Sequence, residues 1–393
     1  MSQQASLARK ISLPLLALYG LGTILGAGIY VLIGEVALRA QHFAPWSFVV
    51  AGILASLTAY SFAKLSAKFP KSAGQATYID AAFHNKLLTR LIGYSVIAIG
   101  SISAATMLRG FSGYFSVLFA VPDWLTIIVV ALGITLLAIW GITEALSAAA
   151  LITLIEVVGL AIVVFVAIEP NDIHSINVDK STFHLGGILS GAFIAFYAYL
   201  GFEDIVNVAE ETIQPKRTLP YAIFISLLLA ISLYMLVAYV CVTYAPLEIF
   251  AGAKAPLAEI VAFRGIDPTT ITLISTIAIL NGALIQLIMA SRVLYGMARQ
   301  GHAPIIFSQV SIKTRTPIAS SIMIASIILL LASSLPLVTL AAITSGITLL
   351  IFSAMHLALL KMRDRFEPRS RLNLWVPLLG IFSNLGLLIY ALL

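Results

Sequence analysis

Charge is scarce in this sequence. Of 393 residues, 23 are Lys or Arg and 17 are Asp or Glu, while 60% are hydrophobic and the mean hydropathy is +1.04. A soluble chain could not solvate so apolar a surface, which leaves the membrane class. Cysteine is nearly absent, and the lone Cys241 excludes an internal disulfide and a cysteine metal cluster. The six histidines, at positions 42, 84, 174, 184, 302 and 356, show no metal-ligand spacing. There is no G-x-S-x-G elbow, no phosphate-binding P-loop and no dinucleotide fingerprint. No nucleophile–base pair stands out, so no enzyme, no cofactor and no ATP-driven transport by this chain alone is expected. The net charge of +6 raises the question of nucleic acid, but the basic residues flank apolar runs, which is the pattern of membrane topology.

Long apolar runs are what the chain does have. About 20 apolar residues span a bilayer core, and eleven windows qualify: 11–38, 44–63, 87–119, 124–141, 145–168, 186–209, 219–243, 268–299, 317–335, 337–360 and 374–393. The first is too long for a signal-peptide core and no small-residue cleavage site follows it, so it is read as mature protein. With the N-terminus inside, 17 Lys and Arg fall in inner segments and four outside (Arg39, Lys180, Lys254, Arg264). Two, Arg109 and Arg292, lie within spans. That asymmetry supports the topology. Residues 64–86 carry a turn signal at Phe69 to Gly74 and then an expected interfacial helix. Residues 169–185, with Pro170 and Asn171, and 244–266 are expected outer loops, the second with a short helix.

Two spans are interrupted. The first contains Gly20, Gly22, Gly26 and Gly28, and each glycine costs a helix interior about 1 kcal/mol against alanine. A helix restarting near Gly26 to Gly28 offers bare amides and a partial positive charge to an anion. Close packing through Gly22-xxx-Gly26 is the alternative. The sixth span has Gly201 at mid-length, followed by Glu203 and Asp204, and acids inside a span are costly. Five spans separate the two interruptions, and an odd unit inverts its copy. Broken helices at matching places in two inverted halves point to a transporter site.

Gly22-Thr23-Ile24-Leu25-Gly26-Ala27-Gly28-Ile29 resembles the first-helix motif of the amino acid–polyamine–organocation (APC) permeases. Phe196 to Glu203, then Glu210-Glu211 and Pro215 to Pro220, is similar to that family's sixth helix and following loop. Ser291 to Gly301 resembles the end of its eighth. The resemblance implies an all-α membrane protein of the LeuT-type fold, with alternating access to a midplane site. Its inverted five-helix repeats would be 11–168 and 186–360, with residues 1–10 a cytoplasmic arm and 361–393 a basic loop and an eleventh helix. Family members commonly have twelve spans, so their C-terminal location and any dimer contact there do not carry over.

Half-helix dipoles, and the resemblance, assign a substrate carboxylate to the amides of Gly26, Ala27 and Gly28. They assign its ammonium to carbonyls near Thr23 and from Phe196 to Tyr199, ahead of Gly201. Each helix-end interaction is worth about 0.3–2 kcal/mol. Tyr197 falls where relatives carry an aromatic gate, and an ordinary core or lipid-facing tyrosine is the alternative. Met107 and Gln286 align with family pocket positions. Ile24, Ala27, Phe193 and Met107 form a mainly apolar lining, which favours a small or medium neutral amino acid.

Glu156 stands near the centre of the fifth span. Several proton-coupled relatives place a lysine at the resembling position, and sodium-coupled relatives of the fold hold an ion there. A carboxylate breaks that pattern. Burial disfavours its charge, so proton exchange, Na+ binding, an arginine pair and a structural hydrogen bond all stay open. Asn281 is a plausible polar neighbour. Glu203 resembles a family acid tied to coupling, and its alternative is an inner-half acid reaching water. Glu210 and Glu211 are expected to pair with loop bases or serve an inner gate. Arg109 needs a carboxylate or carbonyl partner.

The expected function is secondary-active, H+-coupled uptake of an amino acid by a multi-pass protein of the plasma (inner) membrane. An exchanger of cationic amino acids or polyamines, or a Na+-coupled permease, is the alternative within transport. A membrane receptor or complex subunit is the alternative outside it. The partners implied are an amino acid or amine, H+ or Na+, and the bilayer. Oligomeric state stays open.

Overall fold

Proline and capping side chains mark where the helices begin. Pro stands in the first turn of the helices Leu13–Ala40 (α1), Ala44–Lys68 (α2), Pro215–Tyr244 (α8) and Pro256–Phe263 (α9), where its missing N–H costs nothing. Asn85 caps Lys86–Leu118 (α4), its side chain accepting from the amides of Leu87 and Leu88 at 2.9 and 3.2 Å. His184 Nδ1 accepts from the Gly187 amide and caps Leu185–Ala195 (α7). The remaining helices are Gly74–Phe83 (α3), Asp123–Trp140 (α5), Leu146–Ile168 (α6), Thr269–Arg299 (α10), Ile318–Ser334 (α11), Leu337–Lys361 (α12) and Leu372–Leu392 (α13).

The computed structural model describes residues 11–70, 74–140, 146–168, 184–314, 316–366 and 370–393. Arg9 and Lys10 of the expected arm, Lys71 to Ala73, the Pro170–Asn171 loop with His174 and Lys180, Arg315 and Arg369 lie outside the described residues. Among the described residues the secondary structure is helical apart from one isolated β-bridge, between Ile11 and Thr212.

The chain is an all-α, multi-pass membrane bundle. Nine described helical stretches are long and apolar enough to cross a membrane, and two apolar helices, Leu13–Gly26 and Ile318–Ser334, are shorter. One of the nine, Gly28–Lys68, runs to 41 residues. At 1.5 Å per residue it would reach roughly 60 Å, about two bilayer cores. It is interrupted at Gln41, whose φ of 50° ends α1 before α2 starts. Each of the eleven windows overlaps described helix, and short helices, α3 and α9, lie within residues 64–86 and 244–266, where an interfacial helix and an outer-loop helix are expected. The flanks turned away from the bundle carry large apolar side chains, among them Phe165, Leu136, Leu330 and Phe382. Water would not tolerate that surface, but lipid does.

The core gathers around the two interruptions. Phe196 and Phe202, on either side of the sixth-span break, pack against Phe352 of α12, and Phe202 also against Phe62 of α2, with ring centroids 5.4–5.9 Å apart. Edge-on aromatic pairs of this kind are each worth about 0.5–1.5 kcal/mol beyond area burial. At the helix entrance, the Ile11 amide donates to the Glu211 carbonyl and the Ile213 amide to the Ile11 carbonyl. The start of α1 is thereby strapped to the end of the sixth-span segment.

Candidate functional site

Both interruptions are present. Gly26 has non-helical backbone inside α1, so the helix stops and restarts there. After α7 the chain tightens into a 3-10 turn, Phe196–Tyr199, then extends at Leu200, turns at Gly201 with φ 119°, and continues as the 3-10 helix Phe202–Glu211. No L side chain adopts such a φ without strain, so the glycine sets this turn.

The two interruptions lie against each other. A Cβ at Gly28 would land on the Ala198 backbone, and one at Gly201 on the Thr23 carbonyl. The Thr23 hydroxyl lies within hydrogen-bonding distance of the Gly20 and Gly201 carbonyls, 2.9 and 3.0 Å. On the far side, the Tyr234 hydroxyl of α8 reaches the Ile24 carbonyl at 2.7 Å and the Ala198 carbonyl at 2.9 Å. It has one proton to share between two carbonyls, one from each broken helix. Gly28 therefore packs closely on the sixth-span break, and Gly22 of the Gly22-xxx-Gly26 pair packs on Thr153 of α6, while a Cβ at Gly26 would meet only the Met107 methyl, at 3.6 Å.

Met107 lies between α1 and α10, because a Cβ at Gly282 would also approach it, at 3.0 Å from the sulfur. One turn further along α10 is Gln286, buried, with Oε1 lacking a hydrogen-bond partner, and Asn281 Oδ1 is likewise unpartnered. Buried acceptors without donors cost about 1–3 kcal/mol each, and such atoms ask for a ligand or an ordered water. Met107, Gly26 and Gly282 thus form one neighbourhood, and Gln286 Oε1 lies beside Gly100 of α4, two turns before Met107. The Phe193 side chain is half-buried on α7, Ile24 is buried, and the Ala27 side chain lies outside the described residues.

The aromatic residues divide. Tyr197 is buried with its hydroxyl against the Ser103 hydroxyl at 3.0 Å and the Ser103 carbonyl at 3.2 Å, which ties the break to α4. Tyr199 turns the other way, donating to the Phe48 carbonyl of α2 at 2.8 Å and stacking near Tyr234. The Phe196 ring belongs to the aromatic knot. These two residues can meet a ligand only through their backbone. Of the carbonyls expected to be free, those of Tyr197 and Ala198 accept from the Leu200 amide and Tyr234.

The acids also separate. Glu203 does not reach water: it is buried, and its Oε2 accepts from the Gly201 amide at 2.9 Å, closing the turn it follows. Asp204 is buried beside it. Glu156 is buried in α6, and its backbone carbonyl accepts from the Tyr30 hydroxyl at 2.7 Å. Tyr114 of α4 in turn donates to the Tyr30 carbonyl at 2.6 Å. Gly159, one turn on, packs against Ile274 of α10, and Asn281 follows Ile274 by two helical turns. Arg109 finds a carbonyl partner, Ser333 at 3.2 Å. Glu211 is held through its carbonyl by Ile11.

Tyr234, Ser103, Tyr30 and Tyr114 escaped the sequence reading. A tyrosine inside an apolar span demands a hydrogen-bond partner, which is the one signal available, but it does not say which partner. Tyr234→Phe should leave the Ile24 and Ala198 carbonyls short of a donor and cost about 1–3 kcal/mol. Melting of the purified variant reads this directly, and an unchanged midpoint would mean the hydroxyl does not bridge the breaks.

A family model described as "Amino acid permease" matches residues 11–393. The chain is 30% identical to the Arabidopsis thaliana protein "Cationic amino acid transporter 3, mitochondrial" over 92% of this chain and 63% of that protein. It is 28% identical to the Bacillus subtilis "Branched-chain amino acid permease BcaP" over 93% of this chain and 83% of the relative. To the Bacillus subtilis "Methylthioribose transporter" it is 27% identical over 97% and 86%. The chain spans less than two thirds of the length of the plant relatives, 63%, 60% and 64% for three of them.

Proposed function

The chain belongs to the amino acid permease family, and from that premise we propose that it is a secondary-active transporter that moves an amino acid by alternating access. The observation that carries this is the contact of two broken helices through Gly28 and Ala198, Thr23 and Gly201, with Tyr234 bridging them. Interruptions that face one another and carry freed backbone groups are the physical requirement for a midplane site. Residues 11–168 and 186–360 then form inverted five-helix repeats of the LeuT type, with eleven crossings, the N-terminus cytoplasmic and the plasma membrane as location. Residues 361–393 add a basic loop and the last helix.

In this reading the Gly26 to Gly28 amides receive the carboxylate. The ammonium displaces Tyr234 or Thr23 from the break carbonyls, or meets Gln286 Oε1. Ile24, Met107 and Phe193 favour a neutral side chain, and Tyr197 covers the site. Glu156, with Asn281, carries the coupled proton, and Glu203 is the second candidate. A second reading is exchange of cationic amino acids, whose substrate class, though not its exchange, has support in the names of the plant cationic amino acid transporters.

A thermal-shift screen against the twenty amino acids and polyamines, then proteoliposome uptake of the best ligand under an inward pH gradient, separates these. A neutral amino acid that stabilises the protein and accumulates is the expected result. A basic amino acid or polyamine that enters only against internal substrate favours the exchanger. Ligand-independent melting with no uptake would remove the transport reading.

A further inference from the structure

A cavity of about 490 Å³ lies between the end of α2 and the turn after α12, lined by Lys64, Ala67, Lys68, Arg365 and Phe366. Three of the five described lining residues are cationic and none of the five is acidic. The two ion pairs among the described residues are Glu35–Arg39 and Asp123–Lys254, so among the described residues the cavity's cations have no carboxylate within ion-pair distance. Asp364, beside Arg365 in sequence, is exposed and not among the described lining residues, and Glu367, beside Phe366, lies outside the described residues.

The cavity is built rather than incidental. Lys68 Nζ donates to the Arg365 carbonyl at 3.0 Å, which closes one wall. Lys64 Nζ is held 5.6 Å from the Tyr60 ring, and the Tyr60 hydroxyl donates to Asn373 Oδ1 of α13 at 2.6 Å. Phe366 is buried as an apolar floor. Gathering like charges is unfavourable unless an anion sits among them. An apolar flank runs on along α13: Leu372 and Trp375 at its start are exposed, and Leu379 and Phe382 continue the exposed apolar surface, and a Trp beside basic residues is the pattern of a membrane–water interface. Basic pockets between helices on the cytoplasmic side suit lipid phosphates.

We infer that this cavity is a binding site for the phosphate-bearing headgroup of an anionic lipid, whose acyl chains lie along the Trp375–Phe382 flank of α13. The inference uses the inward orientation proposed above for this face, and nothing in the broken-helix site. Inorganic phosphate shares the headgroup's chemistry but lacks the apolar half of the contact.

The test is lipid retention by native mass spectrometry. The full chain is exchanged against vesicles of phosphatidylglycerol or of phosphatidylcholine, with and without inorganic phosphate. The triple variant Lys64→Gln, Lys68→Gln, Arg365→Gln is set beside a control, Lys216→Gln with Arg217→Gln, which removes basic charge from the same face elsewhere. The wild type and the control should retain one phosphatidylglycerol, not displaced by phosphate, and the triple variant should bind it at least tenfold more weakly while melting as a folded protein. Equal retention by all three proteins would overturn the site. Displacement by millimolar phosphate alone would overturn the lipid as its occupant. If uptake fails while retention follows the expected pattern, the transport reading is at fault and the lipid site stands.

Discussion

Gly201→Ala should be among the most damaging single-methyl additions in this protein. A Cβ at that position runs into the Thr23 carbonyl, and the backbone φ of 119° strains any L residue. Left-handed backbone costs a non-glycine residue about 1–2 kcal/mol, and overpacking a tight contact costs about 1–3 more. The variant should therefore lose roughly 2–5 kcal/mol, and melt several degrees lower. Uptake should fall with it, since both broken helices must move to relieve the clash. Gly133→Ala in α5 is the matched control: a Cβ there meets nothing within 4 Å, so helix propensity alone acts, with a gain of up to about 1 kcal/mol. If Gly201→Ala melted and transported like the wild type, the two interruptions would not touch in the membrane, and the proposed site would fall with them. Gly28→Leu tests the same seam from the other side, because its side chain would have to displace the Ala198 backbone.

Glu156→Gln should abolish pH-driven accumulation while leaving exchange. The amide keeps the shape of the side chain and leaves untouched the backbone carbonyl that Tyr30 holds, so loss of fold is not the expected cause of the change. One pH unit is a tenfold ratio of proton activity, or about 1.4 kcal/mol of proton free energy. A symporter coupled to one proton therefore supports about tenfold accumulation per pH unit, and the variant should support none. Proteoliposomes loaded with substrate should still exchange it. Undiminished accumulation would take Glu156 out of the coupling step and leave Glu203, whose carboxylate already holds the Gly201 amide. In that case Glu203→Gln would have to show the loss, together with a fall in stability, because it touches the turn directly.

The spans, the interfacial helix and the two breaks were legible in the sequence because each has a local cause. Apolar runs of about 20 residues have one stable solution in lipid. Pro and Asn at helix starts and glycine where the backbone must turn need no knowledge of neighbours. The side chains around the second break were less legible. Phe196, Tyr197 and Tyr199 are three aromatic residues in four consecutive positions, with Ala198 among them, and nothing in their order says that one ring joins Phe352, one hydroxyl meets Ser103 and the other meets Phe48. A 3-10 turn advances each residue by about 120°, so their directions diverge only once that turn is known.

Long-range contacts divided the glycines in the same way. Gly26 and Gly28 stand two residues apart, yet a Cβ at Gly28 would meet Ala198 and one at Gly26 the Met107 methyl. Glu203, two residues past the break, could as well have reached water, until its hydrogen bond to the Gly201 amide showed it closing the turn. No local pattern marks Tyr234, because its two partners, Ile24 and Ala198, are 210 and 36 residues away. Composition, spans, interruptions and family were determined by the sequence alone, since each depends on residues close together or on the solvent the chain must face. Which carbonyls are already held, which glycine packs and which opens, and where cations of α2 meet Arg365 were decided only by tertiary structure, because those facts belong to residues that folding brings together from distant parts of the chain.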